Sequence, residues 1–391
     1  MLKCASLYTL EIDNHVQALY EIREQLKQKI ALMKSTIGVV MCHPEFISSG
    51  VLEYICENIP FDLVGITTSS QAVNGKIGET ILTVFVMTSD DIQFITGVTD
   101  SLIVDVDKPV RTAYEEVMKG ISEVPTLALL FPPFTPHSGD SYIRAMGKIT
   151  PRTALFGALS IDDTATFKNS KTIYKGKTFE CEMAFVLCVG NINPRFLLST
   201  VSNNADMSQS IPVTKANGKY VYEIDGTNAF EYFVDIGLID RRGSLGSFQF
   251  IPIKVEMMKR NDKSGVPVIR GLDYFMENGT AVFHGDVEEG ANITILKCDV
   301  NDILFTANHT IRQMNKLQNI NGAMIFPCAV RHSTLASVNT PTLELQTALS
   351  EINPQIPFMM GYSGGEICPT SFYDGIPVNR YHSYSLIIMV V

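Results

Sequence analysis

NGAMIFPCAVRHSTLASVNTPTLELQTALSEINPQIPFMMGYSGGEICP, residues Asn321 to Pro369, holds the pattern that organises the whole chain. The apolar run Gly322 to Phe326 has the length and composition of a buried strand and stops at Pro327. A polar loop follows, Pro327 to His332, and Ser333, Thr334 and Thr342 offer helix N-caps ahead of the apolar-periodic segment Leu343 to Ile352. Pro354 and Pro357 end that helix. A second apolar run, Phe358 to Gly361, leads into Tyr362-Ser363-Gly364-Gly365-Glu366, where glycines accept backbone angles that other residues resist. The spacing predicts a strand-loop-helix-strand unit with two polar loops. With the strands parallel, both loops emerge at one sheet edge, where open α/β sheets keep their ligands.

The same order recurs twice. Ile37 to Met41 runs into Cys42-His43-Pro44, a helical segment from Glu45 to Asn58, and Leu63 to Ile66 ending in Thr67-Thr68-Ser69-Ser70. Thr126 to Phe131 runs into Pro132 to His137, a helix up to Lys148, and Ala154 to Gly157 ending in Ser160-Ile161-Asp162-Asp163. In all three units the second strand reaches a glycine and then a hydroxyl cluster. The units recur at uneven distances, which points to a folded pseudo-repeat and away from a solenoid of fixed period.

Around these units, Ile81 to Met87 and Ile92 to Val98 read as a hairpin about Thr88 to Asp91, and Thr280 to His284 with Ile293 to Lys297 as another about Glu288 to Gly290. Helices are expected from His15 to about Met33, Val110 to Ile121 and Val300 to Leu317. Arg241 to Ser247 reads as a mobile loop, Arg260 to Gly265 as another exposed turn, and Tyr384 to Val391 as a last strand built into a sheet. The fold class is therefore α/β, of mixed α+β character: two domains with mixed sheets, built from the repeated units plus β-hairpins, with helices packed on the sheets. The Ser-, Asn- and Gln-rich stretch Val201 to Pro212 suggests the boundary, giving domains of residues 1–205, with two units, and 206–391, with the third.

A chain of 391 residues, 46% hydrophobic and 18% charged, has the material for a sizeable core and more than one domain. A net charge of -10 argues against a general nucleic-acid surface, which needs clustered Lys and Arg. Eight cysteines lie scattered without a C-x-x-C pair, mostly inside apolar runs, as reduced thiols do. No signal-peptide pattern opens the chain, and no apolar run approaches the roughly 18 residues that span a bilayer. The expectation is a cytoplasmic protein with no membrane partner.

The runs LVGITTSSQ (Leu63 to Gln71), Leu155 to Asp163, YEIDG (Tyr222 to Gly226), GDVEEG (Gly285 to Gly290), FPCAVRH (Phe326 to His332) and GYSGGEICP (Gly361 to Pro369) resemble the FIST family, six motifs in order over nearly the whole chain. The resemblance implies tandem N-terminal and C-terminal FIST domains and an intracellular sensory module of signal transduction that binds small ligands such as amino acids. The chain shows none of the transmitter or F-box segments joined to the module in other members, so its output is expected either to pass through a separate signalling protein or not to exist. Gln71 stands where the family often shows glutamate, and Ala158 where it often shows glycine.

Arg331, just ahead of an expected helix N-terminus, could grip a carboxylate with two parallel hydrogen bonds, or form an inter-domain salt bridge. Glu366, Asp162 and Asp163 could meet the ammonium of an amino acid, or serve as a solvated turn or helix cap. Thr67, Thr68, Ser69, Ser160 and Ser363, with Gly364 and Cys328, complete the candidate ligand-binding set; the alternative for the hydroxyls is that they satisfy loop backbone. His43, His137 and His332 each lie in the first loop of a unit, yet their offsets differ and no carboxylate stands at ligand spacing, so neither metal nor cofactor is assigned. Cys42 or Cys328 beside these histidines could act as a nucleophile. No catalytic residue is assigned, since G-x-x-x-x-G-K-[ST], G-x-S-x-G and H-E-x-x-H are absent. The leading expectation is a non-enzymatic sensor binding an amino acid or small carboxylate in an inter-domain cleft. Its rivals are an enzyme with a Cys or Ser nucleophile on the same loops and a protein-interaction scaffold.

Overall fold

Strands that are apolar on both faces must be covered on both faces, and this requirement sets the architecture. Ser35–Cys42, Leu127–Phe131 and Ala323–Pro327 are each almost wholly buried. The computed structural model describes residues 1–391 except 165, 202–205, 247–248, 250 and 257–266. Each of the three strands pairs in parallel with the second strand of its own unit, Asp62–Thr67, Ala154–Ala158 and Phe358–Gly361. On its other side each pairs antiparallel with a closing strand, Leu82–Ser89, Ala184–Gly190 or Leu386–Val390. That strand in turn pairs with an opening one, Leu2–Thr9, Ile92–Val98 or Arg195–Ser199.

The fifth and sixth strands of each sheet come from a hairpin of another unit. Gln71–Val73 with Lys76–Gly78 leaves the first unit and joins the sheet of the third. Glu366–Tyr373 with Ile376–His382 leaves the third and joins the sheet of the second. Thr172–Tyr174 with Lys177–Phe179 leaves the second and joins the sheet of the first. The result is three six-stranded sheets of one plan, tied by a cyclic exchange of hairpins.

Strand alternation then divides the apolar residues between two layers. Val39, Met41, Leu129, Phe131, Phe156, Met324, Phe326 and Met389 share one central cluster between the sheets, with Phe156 stacked on Phe326 at 5.2 Å. The opposite faces are covered by helices: His15–Lys29 and Val51–Asn58 on the first sheet, Asp107–Val117 and Gly139–Ile149 on the second, Val300–Asn315 and Leu343–Glu351 on the third. Asn14 caps the first helix by accepting from Gln17 N, and Asp299 with Asp302 forms a capping box for Val300–Asn315.

Between Arg195–Ser199 and Val300–Asn315 the third unit carries an insertion, a seven-stranded antiparallel sheet with the helix Ala229–Asp235 and its own core. It is fastened to the second unit by Arg270, which is 1% exposed. Arg270 donates to both oxygens of Asp140 at 3.0 and 3.1 Å, and to the Tyr381 carbonyl at 2.7 Å. Arg144 answers from the other side, pairing with Asp286 at 2.9 Å.

The mixed α/β architecture agrees with the sequence expectation, and the parallel pairing does too. Two hairpins do not. Leu82–Ser89 and Ile92–Val98 lie in different sheets, so the turn between them is the link between units. Ala281–Phe283 and Asn292–Ile295 share a sheet but are not neighbours in it. Period-2 pattern and a polar turn mark two strands without stating that they pair with each other. The segment expected as one helix from Glu45 to Asn58 is broken at Gly50, whose φ of 79° ends Glu45–Ser48 before Val51 begins the next. Arg260 to Gly265 lies outside the described residues, as does Ser247. No helix among the described residues is long and apolar enough to cross a membrane.

The exchange makes a local prediction. Ile173 is fully buried in the core of the first unit although the second unit supplies it. Ile173→Ala should cost about 2–5 kcal/mol in denaturant unfolding. Under native conditions amide exchange should then rise along Asp62–Thr67, its pairing partner, more than along Ala154–Ala158.

Candidate functional site

Three parallel strand pairs that point the same way deliver their following loops to one place. At equivalent positions the N–H of Thr68, Ser160 and Ser363 donates to the carbonyl of Cys42, Pro132 and Pro327 at 2.9, 3.0 and 2.9 Å. From there the loops bind one another. Tyr362 N–H donates to the Ser70 carbonyl at 3.3 Å, Ile161 N–H to Thr67 at 3.1 Å, and Gly364 N–H to Leu159 at 2.9 Å. The polar tips therefore meet, but as a closed junction, with most of their groups satisfied inside it.

Thr67 Oγ1 accepts from Lys171 N–H at 2.8 Å, and Thr68 donates to the Tyr362 carbonyl at 2.7 Å. Gly364 is packed so closely that a Cβ would strike Phe134 and Ile161. Asp162 is buried and holds its own loop, accepting from Thr164 N–H at 2.6 Å, Thr164 Oγ1 at 2.5 Å, and Asn169 N–H. The Ser160 hydroxyl is buried and has no partner among the described residues. Ser363 donates to Glu366 Oε1 at 2.6 Å, and Ser385 to Glu366 Oε2 at 2.5 Å. Burial raises the Glu366 carboxyl to about 8, against the opposing pull of these two hydroxyls and the Arg331 charge.

Arg331 is not in the loop where the sequence reading set it. Residues Ala329–Ala336 form a short helix that the β-branched and hydroxyl residues Val330, Ser333 and Thr334 disguise. Arg331 is fully buried on it, pairing through Nη2 with Glu344 at 2.5 Å. Nη2 also reaches the Ile303 carbonyl at 3.0 Å and Thr306 Oγ1 at 3.1 Å, while Nη1 lies 3.4 Å from the Tyr384 carbonyl. Tyr362 donates to the second Glu344 oxygen at 3.2 Å. This guanidinium joins helices within the third unit; it neither bridges domains nor faces open space.

Cys42 and Cys328 are buried as well, and burial pushes both thiols upward, with the nearby Glu366 charge acting in the same direction on Cys328. A thiol held in its neutral form is a poor nucleophile. His137 lies apart from the other two histidines, its Nε2 against the Leu102 carbonyl at 2.6 Å.

Open space adjoins the junction on one side. A pocket of about 520 Å³ is lined from the first unit by His43, Glu45, Ser69, Ser70, Glu79 and Thr80, from the second by Asp162, Asp163, Thr164 and Phe167, and from the third by Ala329, His332 and Ser333. His43 Nε2 lies 3.4 Å from Asp163 Oδ2, and His332 Nε2 lies 3.5 Å from Ser70 Oγ. Burial holds the His332 ring below its ordinary pKa, so it is neutral at pH 7. Of the residues anticipated as ligand contacts, Ser69, Asp162 and Asp163 line this pocket. His43, His332, Glu45 and Glu79 were not anticipated as such. Both histidines stood in first loops and could have been recognised, whereas Glu79 follows an exchanged hairpin and carried no signal. The seam between the inserted sheet and the junction, where Cys328 and Ser363 lie beside His284 and Asp273, leaves only about 20 Å³. That is the room of one water molecule.

Two outcomes follow from the buried charges. Arg331→Ala would leave Glu344 buried without its counter-charge, and should lower stability by about 3–5 kcal/mol in denaturant melts. For Glu366 the folded chain keeps a proton that the unfolded chain releases above the ordinary glutamate range. Stability should therefore fall as pH rises from about 4.5 to about 8, the interval between its ordinary and raised pKa. Glu366→Gln should flatten that slope in unfolding free energies measured across the interval.

Comparison with curated proteins returns no match. Comparison with protein families matches residues 36–227 to the FIST N domain and residues 230–369 to the FIST C domain. FIST domains are considered small-ligand sensory domains of signal transduction. With the two domains matched in tandem along most of its length, the chain belongs to the FIST family.

Proposed function

We propose that the chain is a sensor of a small polar molecule of the amino-acid type, bound in the pocket where the three units meet. One observation carries the reading: a single hollow receives polar side chains from all three units, which the hairpin exchange holds in fixed relation. Its volume is within the range of small-molecule sites. Ser69, Ser70, Thr80 and Ser333 provide hydroxyls, His332 a neutral imidazole, and Asp163, Glu45 and Glu79 carboxylates for an ammonium group. A simple carboxylate ligand loses its motivation, because Arg331, the residue expected to hold it, is engaged by Glu344.

The site belongs among the repeat units, not at the seam with the inserted sheet, where the room is about 20 Å³. A cytoplasmic location is supported by eight free cysteines. Occupancy would be read by a separate signalling protein.

Ser333 is exposed at the pocket wall, so Ser333→Trp should fill the space without touching the core. Thermal-shift screening of an amino-acid panel should raise the melting temperature of the wild-type protein for at least one member and leave Ser333→Trp unmoved. A panel without effect on the wild type, or one that acts equally on both, removes the proposal.

A further inference from the structure

The charge of the pocket narrows what it can hold, and this step rests on the pocket being a ligand site. Glu45, Glu79, Asp162 and Asp163 all line it, and no Lys or Arg does among the described residues. Besides the His43 ring, which lies against Asp163 at 3.4 Å, two places could have supplied a compensating positive end. The first, Arg331, is buried away from the pocket on Glu344. The second, the N-terminus of Ala329–Ala336, is closed: Cys328 N–H donates to Ser385, and Ala329 N–H to Ser363 at 2.7 Å. The neutral His332 adds no charge.

Two further features face the same space. Ser69 is 8% exposed, lines the pocket, and makes no side-chain hydrogen bond among the described residues, so its hydroxyl is left to water or to a ligand. Phe167 offers a half-buried ring at the wall, and aromatic faces attract organic cations. Among the described residues no three of His, Cys, Asp and Glu come together at metal-binding spacing, which favours an organic cation over a metal ion.

We infer that the ligand is a small organic cation, a primary amine or guanidine with net positive charge such as a diamine or basic amino acid, seated against Glu79 and Asp163 with the Ser69 hydroxyl completing its hydrogen bonds. A carboxylate ligand would meet the carboxylates of Glu45, Glu79, Asp162 and Asp163 and no Lys or Arg among the described residues. A cation exchanges its water for carboxylates already in place, and part of the repulsion among those carboxylates is relieved.

Calorimetric titration of the wild-type protein with putrescine, L-arginine, L-leucine and succinate tests this, with Ser333→Trp, Glu79→Gln and Asp163→Asn as variants. Glu79 and Asp163 are exposed at the rim, so both substitutions should leave the melting curve in place. The expected result is binding of putrescine or L-arginine, abolished in Ser333→Trp and weakened about tenfold in each charge variant and on raising salt. Succinate should not bind. Binding of succinate or L-leucine that Ser333→Trp abolishes, and that the charge variants leave unchanged or tighten, would overturn the inference while keeping the pocket as a ligand site. Failure of all four probes, or binding that survives Ser333→Trp, would remove the inference together with the pocket reading beneath it.

Discussion

Backbone hydrogen bonding across the ends of the exchanged hairpins is the constraint on which the molecule depends. A strand pair of three residues has little stability by itself. Gln71–Val73 exists as a strand because Phe358–Gly361 accepts it, and Thr172–Tyr174 because Asp62–Thr67 does. Each unit thereby completes a sheet that is not its own. None of the three can reach its full set of backbone partners unless the other two are present, and buried backbone groups without partners are costly. The central apolar cluster, formed by residues of all three sheets, reinforces the same dependence.

That interlock explains why the polar loop residues are buried. The loops enter the junction from three directions and bond to one another there. Groups that would otherwise stand in solvent must find partners inside: Arg331 with Glu344, Glu366 with Ser363 and Ser385, Asp162 with the turn that follows it. A buried ion pair such as Arg331 with Glu344 adds little net stability over an apolar pair, but it is intolerant of losing one partner. What this network contributes is position. It seats the helix Ala329–Ala336 against Val300–Asn315 and against the start of Leu343–Glu351, so that His332 and Ser333 come to the pocket wall. The residues that shape the hollow and the residues that face it are different sets, and the conspicuous charges belong to the first.

Much of the local structure was legible. Val39, Met41 and their counterparts are apolar because both faces of the strand are covered, and a run of such residues closed by Pro or Gly reads as a buried strand in any fold. The helix starts read at His15 and Val300 are those of the structure, where Asn14 and Asp299 cap them. Ala329–Ala336, which begins after Cys328 without a side-chain cap, went unseen. Gln71 shows the same limit from another side. Its amide donates to the Ile81 carbonyl at 2.7 Å and accepts from Thr83 at 2.5 Å, so the residue that stood out against the family pattern is a neutral member of a buried network.

By itself the sequence determined that the chain holds three alike strand-loop-helix-strand units, that their strands are buried on both faces, and that hydroxyls and glycines follow each second strand. Periodicity, proline and glycine are local properties, and local structure obeys them. Only the tertiary structure decided which sheet each hairpin enters, that Arg331 turns inward to Glu344, and that the open space lies beside Ser69, His43, His332 and Asp163. Those outcomes depend on which distant groups become neighbours, and a residue's own chemistry states what partner it needs without stating where along the chain that partner will be found.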